Sequence, residues 1–509
     1  MMPISILRRV EDVTGKIINR FRSLTGMKGI AADTFLYGSL KSLVRLVGVL
    51  SVPLYAYFLS QSQFGALDVV LSASAFFSLV IDWQFELGVA RYFYAAEKDG
   101  KKQAFMSSCL WTRGLMTVAC FLAFLLIASP LSGWLFPDVK QGTAQLTLAM
   151  ASVVMGSINS LFWLYCRLLF TRRAFIVTSL MSAVITIGLE ASFLLAGWGI
   201  TGVLGAMLVA NVVVLIVQIY QMRAYIRFVM DYSLIKPILA FTLPMVLSPL
   251  LGWSLTYLNR FIMVKTVSLE EIALFALASK VNIGLTLVAS AFQTAWMPVS
   301  MKQIDKPDSG KFYGNSLRYS WLLVLGVTLV LSLAAGLIVF ILAPKVYAES
   351  ARYIPVLAVS SSVMMLANIV DIGNQISKRT WWSTIARVFG VISGVSIMLL
   401  GVGRFGLLAI VAGGLFASVV IWVTTFVTSQ HNHHLPYKPS LLLWGWAGFG
   451  IILACTQLKR VFSWPWMDPV MAVLVLICLV LVIERSDRIR LVEAIRSVQI
   501  KLKNRWSNL

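Results

Sequence analysis

Lys41 and Arg45 stand four residues apart in an apolar run, so on a helix they share one face. Asp82 and Glu86 repeat that spacing with the opposite sign in the next apolar run. Arg113, Arg260 and Lys280 are further cations in apolar surroundings, and Glu190 is a lone carboxylate in another such run. A charge kept in a setting this apolar either pairs with its opposite or serves a ligand or an ion. Two chemistries therefore compete for the first four residues. They could form two ion pairs that lock a helical hairpin. They could also form a cationic site whose carboxylates hold it until an anion or a proton displaces them. With Arg113 included, three basic groups face two acidic ones and leave a positive remainder. Glu190 could sit protonated and inert, pair with a cation from elsewhere, or carry a coupling proton.

The elements that must position these side chains are membrane helices. Runs of mostly apolar residues predict fourteen spans, at 34–59, 66–90, 107–128, 145–166, 175–196, 199–220, 238–264, 271–296, 315–341, 353–376, 381–399, 406–428, 441–457 and 468–483. Hydrophobic residues make up 59% of the chain and charged ones 13%, which leaves no room for a sizeable water-soluble domain. Of the 43 basic residues, 29 fall in the two tails and the even-numbered loops, 7 in the odd loops and 7 inside spans. Positive loops stay cytoplasmic, so both termini are expected inside. The net charge of +22 raises nucleic acid as a partner. The basic residues instead border the spans on one side, where each gains about 1 kcal/mol from anionic lipid headgroups.

Depth separates the in-span cations. At 1.5 Å per residue, Lys41 and Arg45 sit roughly 10 and 16 Å from the cytoplasmic end of their span, and Lys280 about 14 Å from the outer end of its own. Lys280 is too deep to snorkel with ease, whereas Arg260 lies nearer the interface. Arg318 and Arg387 lie within two turns of a cytoplasmic end and read as headgroup contacts. Pro53 interrupts the first span, and Pro244 and Pro249 interrupt the seventh; all three are candidate hinges.

One design occurs twice. Leu59-Ser-Gln-Ser-Gln-Phe-Gly-Ala-Leu67 lies over Val267-Ser-Leu-Glu-Glu-Ile-Ala-Leu-Phe275, Arg172-Arg173 over Lys378-Arg379, and Gly199-Ile-Thr-Gly202 over Gly403-Arg-Phe-Gly406. Near-constant offsets of a little over 200 residues imply two six-span halves repeated in parallel. The expected organisation is an amphipathic segment over 1–33, an N-lobe over 34–220, a C-lobe over 238–428, two extra spans over 441–483 and a basic tail over 484–509. Ile6, Val10, Val13 and Ile17 at the start, and Leu491, Ile495, Val498 and Leu502 at the end, recur at helical spacing among basic residues. They predict helices lying on the membrane surface.

Arg45-Leu-Val-Gly-Val-Leu-Ser-Val-Pro53, Leu59-Ser-Gln-Ser-Gln-Phe-Gly65 and Leu87-Gly-Val-Ala-Arg-Tyr-Phe93 resemble the opening of polysaccharide flippases of the Wzx type. Leu243-Pro-Met-Val-Leu247, Asn259-Arg260-Phe261, Phe275-Ala-Leu-Ala-Ser-Lys280 and Val346-Tyr-Ala-Glu349 resemble them in the second half. These flippases share a superfamily with MATE drug exporters and lipid II flippases, and the likeness covers about residues 34–430. It implies an all-α, MATE-like transporter in the bacterial inner membrane. The implied task is to carry an undecaprenyl-pyrophosphate-linked oligosaccharide to the periplasmic leaflet by alternating access, for O-antigen or exopolysaccharide biosynthesis. Lys41, Arg45, Arg113, Arg260 and Lys280 then become the residues for the pyrophosphate. Asp82, Glu86 and Glu190 handle charge compensation or ion coupling, and the prolines flex. The resemblance implies no cofactor beyond a proton or sodium gradient or the membrane potential. Its partners are membrane lipids and polysaccharide polymerase or assembly proteins.

Rival readings fit less well. A multidrug or cation exporter of the same fold would want an acidic cavity. A membrane polymerase or ligase would need a large periplasmic loop, and the longest odd loop has about 14 residues. A scaffold for glycan assembly has only the amphipathic tails in its favour. The chain therefore reads as a transporter and not an enzyme. His431, His433 and His434 lack the further ligands of a metal site. Most tryptophans, Trp198 among them, fall at span ends as an interfacial belt, while Trp253 and Trp296 lie deep enough to stack on a sugar ring.

Overall fold

A computed structural model describes residues 48, 50–136, 141–462, 464 and 466–482. Lys41, Arg45 and both amphipathic tails lie outside the described residues. A helical stretch over 50–58 leads into α1 (Gln61–Asp82), α2 (Phe85–Lys98), α3 (Lys102–Leu135), α4 (Gly142–Leu168), α5 (Arg172–Leu195) and α6 (Gly199–Met222). The second half runs through α7 (Tyr232–Thr242), α8 (Leu247–Thr266), α9 (Leu269–Val281), α10 (Ile283–Lys302), α11 (Ser309–Leu342), α12 (Ile354–Val370), α13 (Ile372–Ile376), α14 (Trp381–Phe405) and α15 (Leu407–Asn432). Then come α16 (Pro439–Phe462) and α17 (Met467–Val482). Among the described residues there is no strand.

Twelve helical stretches among the described residues are long and apolar enough to cross a bilayer. They fall one to one on the second to thirteenth expected spans. The last expected span falls on α17, which at 16 residues is shorter than the roughly 20 a bilayer asks for. Most of the first span lies outside the described residues. The described residues thus give twelve spans and a shorter apolar helix, where the sequence predicts fourteen spans.

The helix starts carry the repeat. Ser60 Oγ accepts from Gln63 N while Gln63 Oε1 accepts from Ser60 N, which closes a capping box on α1. Ser268 and Glu271 close the same box on α9, 208 residues later. Gly65 lets these two helices touch, since a Cβ there would overlap the Leu269 carbonyl oxygen.

Packing treats the two faces of the membrane differently. At the charge-poor face one core joins both halves, with Phe64 and Leu67 of α1, Leu146 of α4, Ile272 and Phe275 of α9, and Ile410 of α15. At the basic face the halves keep separate cores. Phe93, Phe105 and Tyr165 anchor one, and Tyr313, Trp321 and Trp422 the other. The halves are fused at one end and parted at the other.

The chain crosses between the separate cores within the seventh span. Ile235 and Ile238 of α7 belong to the core of the first half, and Gly88 of α2 lies so close that a Cβ would stand 2.6 Å from Ile238 Cγ2. A 3₁₀ turn, Leu243–Val246, then leads into α8, which joins the second half. Pro244 sits in that turn. Pro249 stands in the first turn of α8. The helix over 50–58 continues through Pro53.

Candidate functional site

The second span breaks between α1 and α2, and Arg113 closes the break. Trp83 and Gln84 take left-handed backbone angles (φ 41° and 54°), each costing a non-glycine residue about 1–2 kcal/mol. The helix ends there, leaving carbonyls with no amide one turn ahead. Arg113 on α3 fills that need: Nη1 donates to the carbonyls of Ile81 and Asp82 at 3.2 and 3.1 Å, and Nη2 to the Asp82 carboxylate. Ser78 and Ser157 also donate to that carboxylate, at 3.0 and 3.4 Å. Arg113 is fully buried by these contacts. In this arrangement it caps a broken helix and ties α1, α3 and α4 together.

Glu86 faces Arg167 at 3.5 Å, with both side chains about one-third exposed. Asp82 and Glu86 thus pair with Arg113 and Arg167. The expected match with Lys41 and Arg45 across a hairpin lies outside the described residues, and the two carboxylates already have basic partners without it.

Arg260 is also committed. Its Nε donates to Asp68 Oδ2 at 3.0 Å, and its Nη1 to the Thr256 carbonyl and Asn259 Oδ1 at 2.7 and 2.9 Å. The guanidinium lies 4.6 Å from the Phe275 ring centroid, and both ion-pair partners are 6% exposed. Arg260 forms a buried link between α1 and α8, across the two halves. Asp68 was missed because it stands only two residues inside its predicted span, where a carboxylate reads as interfacial. The usable signal was its place on the first turns of the same span as Asp82 and Glu86.

Glu190 and Lys280 are brought near each other from opposite halves. Glu190, 1% exposed on α5, accepts from Ser51 Oγ at 2.7 Å and from Tyr55 Oη at 2.9 Å. Lys280, in the last turn of α9, is half-buried and within electrostatic reach of Glu190. It makes no hydrogen bond or ion pair with a described residue. Its helix stops one residue later, and Asn282 steadies the junction with α10 by donating to the Leu357 carbonyl and to Ser361 Oγ. This arrangement leaves a cation at a helix break inside the membrane, with a carboxylate close by that neutral hydroxyls already solvate.

The two deep tryptophans offer no open face. Trp253 donates to the Ser72 carbonyl at 3.2 Å and packs against Phe76 and Phe261. Trp296 is stacked between Phe292 and Phe312. Their expected role as sugar platforms is corrected to packing. Arg387 reaches Ser248 Oγ at 3.4 Å, and Asp371 accepts from Ser383, Asn374 and Gln375 as a local staple.

Comparisons with known proteins fit this architecture. The fold is similar to that of the lipid II flippase MurJ in an inward closed conformation, at 12% identity and a TM-score of 0.65, covering 88% of this chain and 98% of that one. It is similar to a multidrug resistance MATE family transporter in its inward-facing conformation, at 14% identity and 0.59, covering 76% and 97%. An outward-facing structure of such a transporter gives 14% identity and 0.54, covering 79% and 93%. No curated protein sequence matches the chain. The family model described as polysaccharide biosynthesis protein matches residues 30–303, more than half of the chain. A sequence that matches this model so widely, on a MATE-like all-helical membrane fold, belongs to the polysaccharide biosynthesis protein family.

Proposed function

We propose that the protein flips an undecaprenyl-pyrophosphate-linked oligosaccharide from the cytoplasmic to the periplasmic leaflet of a bacterial inner membrane, for O-antigen or exopolysaccharide biosynthesis. The carrying observation is membership of a polysaccharide biosynthesis family on a fold shared with a lipid II flippase. Two negative phosphates must cross ~30 Å of hydrocarbon, which is prohibitive without compensating charge. Lys280 is our candidate for that charge among the described residues, and Lys41 and Arg45 are candidates outside them. The parting of the cores at the basic face supports a cavity that loads from the cytoplasm, with both termini on that side. In this reading the halves act as two lobes rocking about the turn that holds Pro244, and Glu190 carries a coupling proton.

Deletion of the gene should cause lipid-linked oligosaccharide to accumulate on the cytoplasmic leaflet. Wild type should clear it and Lys280→Ala should not. Clearance by Lys280→Ala would keep the flippase and remove the site. Drug sensitivity without accumulation would move the protein to the exporter class.

A further inference from the structure

At the charge-poor face, a cavity of about 550 Å³ opens where the starts of α1, α4, α6 and α9 converge. Its size falls within the range of small-molecule sites. Its polar lining is all amide and hydroxyl: Gln63, Gln141, Gln145, Ser62 and Thr201. Among the described residues no lysine, arginine or carboxylate lines it.

Two features point to a ligand. Gln145 is only 6% exposed, yet its Oε1 has no hydrogen-bond partner, and it borders the open space. A buried acceptor left unmade is costly, and a ligand donor that reached it would remove that penalty. Trp198 is the second feature. Gly197 and Gly199, at φ 79° and 55°, form the turn that presents it, and Phe193 stacks on the indole at 4.6 Å. The indole is still 60% exposed and lines the cavity. Planar amides that donate and accept together, hydroxyls, and one open aromatic face match a ring whose edge is hydroxylated and whose face is C–H.

We propose that this cavity is a carbohydrate subsite that receives the uncharged, hydroxyl-rich part of the glycan at the face opposite the basic loops. The proposal rests on the flippase reading and adds to it a place for the sugar, apart from any site for the phosphates. Gln145 would recognise ring hydroxyls, and Trp198 would cover a ring face.

The test uses the full chain in lipid nanodiscs. The probe is the oligosaccharide freed by mild acid from the carrier lipid that accumulates in the deletion strain, and binding is followed by calorimetry. Wild type should bind it. Gln145→Leu and Trp198→Ala should each weaken binding about tenfold, as expected for losing one good contact, and Trp198→Phe should retain most of it. Thermal unfolding of each variant controls for folding. If Gln145→Leu proves unstable, the exposed Trp198 decides alone. No binding by wild type, or equal binding by Trp198→Ala, overturns the subsite and leaves the flippase reading intact. Failure of the deletion strain to accumulate any lipid-linked glycan removes the flippase reading, and the subsite with it.

Discussion

Asp68 on α1 and Arg260 on α8 form a buried ion pair, Oδ2 to Nε at 3.0 Å, that crosses from one half of the chain to the other. Neither residue can lose its partner cheaply, because the survivor keeps a charge with little water to solvate it. Asp68→Ala should lower stability by about 3–5 kcal/mol. Asp68→Leu combined with Arg260→Met should recover most of that loss. Unfolding of the three variants in nanodiscs measures both effects. A double variant no better than the worse single one would show that the pair is not what holds these helices.

Arg113 should behave as a helix cap and not as a ligand group. A lysine keeps the charge but cannot span two carbonyls and a carboxylate at once. Arg113→Lys should therefore cost about 2–3 kcal/mol in thermal unfolding, while transport per folded molecule stays near wild type. Loss of transport at unchanged stability would return Arg113 to the substrate site.

Gly65 sets the approach of α1 to α9. Gly65→Ala drives a methyl group into the Leu269 carbonyl and should destabilise by about 1–3 kcal/mol. It should also raise maleimide labelling of a cysteine placed at Ser62, as the charge-poor face loosens. Gly114→Ala is the control, since nothing lies within 4 Å of its added methyl group.

Asp231 caps α7, with Oδ1 accepting from the Ser233 hydroxyl at 2.6 Å and from its backbone N–H at 2.9 Å. These bonds, the hydroxyl's first, hold its carboxyl below the usual aspartate range. A depressed pKa stabilises the folded state above the unfolded value of about 3.9, and that gain is lost as pH falls through the folded value. Asp231→Ala should therefore unfold at a lower temperature than wild type at pH 7, and the gap should narrow as pH drops below about 4. A gap constant with pH would mean that the carboxylate charge plays no part in the cap.

The positions of the twelve long apolar helices among the described residues were legible because the length and hydropathy of a run are one-dimensional properties of a chain. The breaks at Trp83–Gln84 and at Asn282 were not, since neither falls on a proline or a glycine. Arg113 and the Leu357–Ser361 region hold them open from other helices. The same limit decided the site. Lys280 and Glu190 were recognisable as costly charges, and their proximity followed only from the packing of α5 against its neighbours. Spacing paired Asp82 and Glu86 with Lys41 and Arg45, yet Arg113 and Arg167 reach those carboxylates, because register between helices is not written in spacing along one of them. Pro244 stood out by residue type, and Asp68 hid at a boundary.

The last two helices have a consequence for measurement. Gly445 and Gly448 press α16 onto Trp321 and Leu325 of α11, so closely that a Cβ at Gly445 would lie 2.6 Å from the indole. Met471 and Val475 of α17 share that same core. The pair is thus packed onto the second half as one body with α11. Under the rocking proposed above, a fluorophore on α17 would work as a pointer that reports the swing of that half.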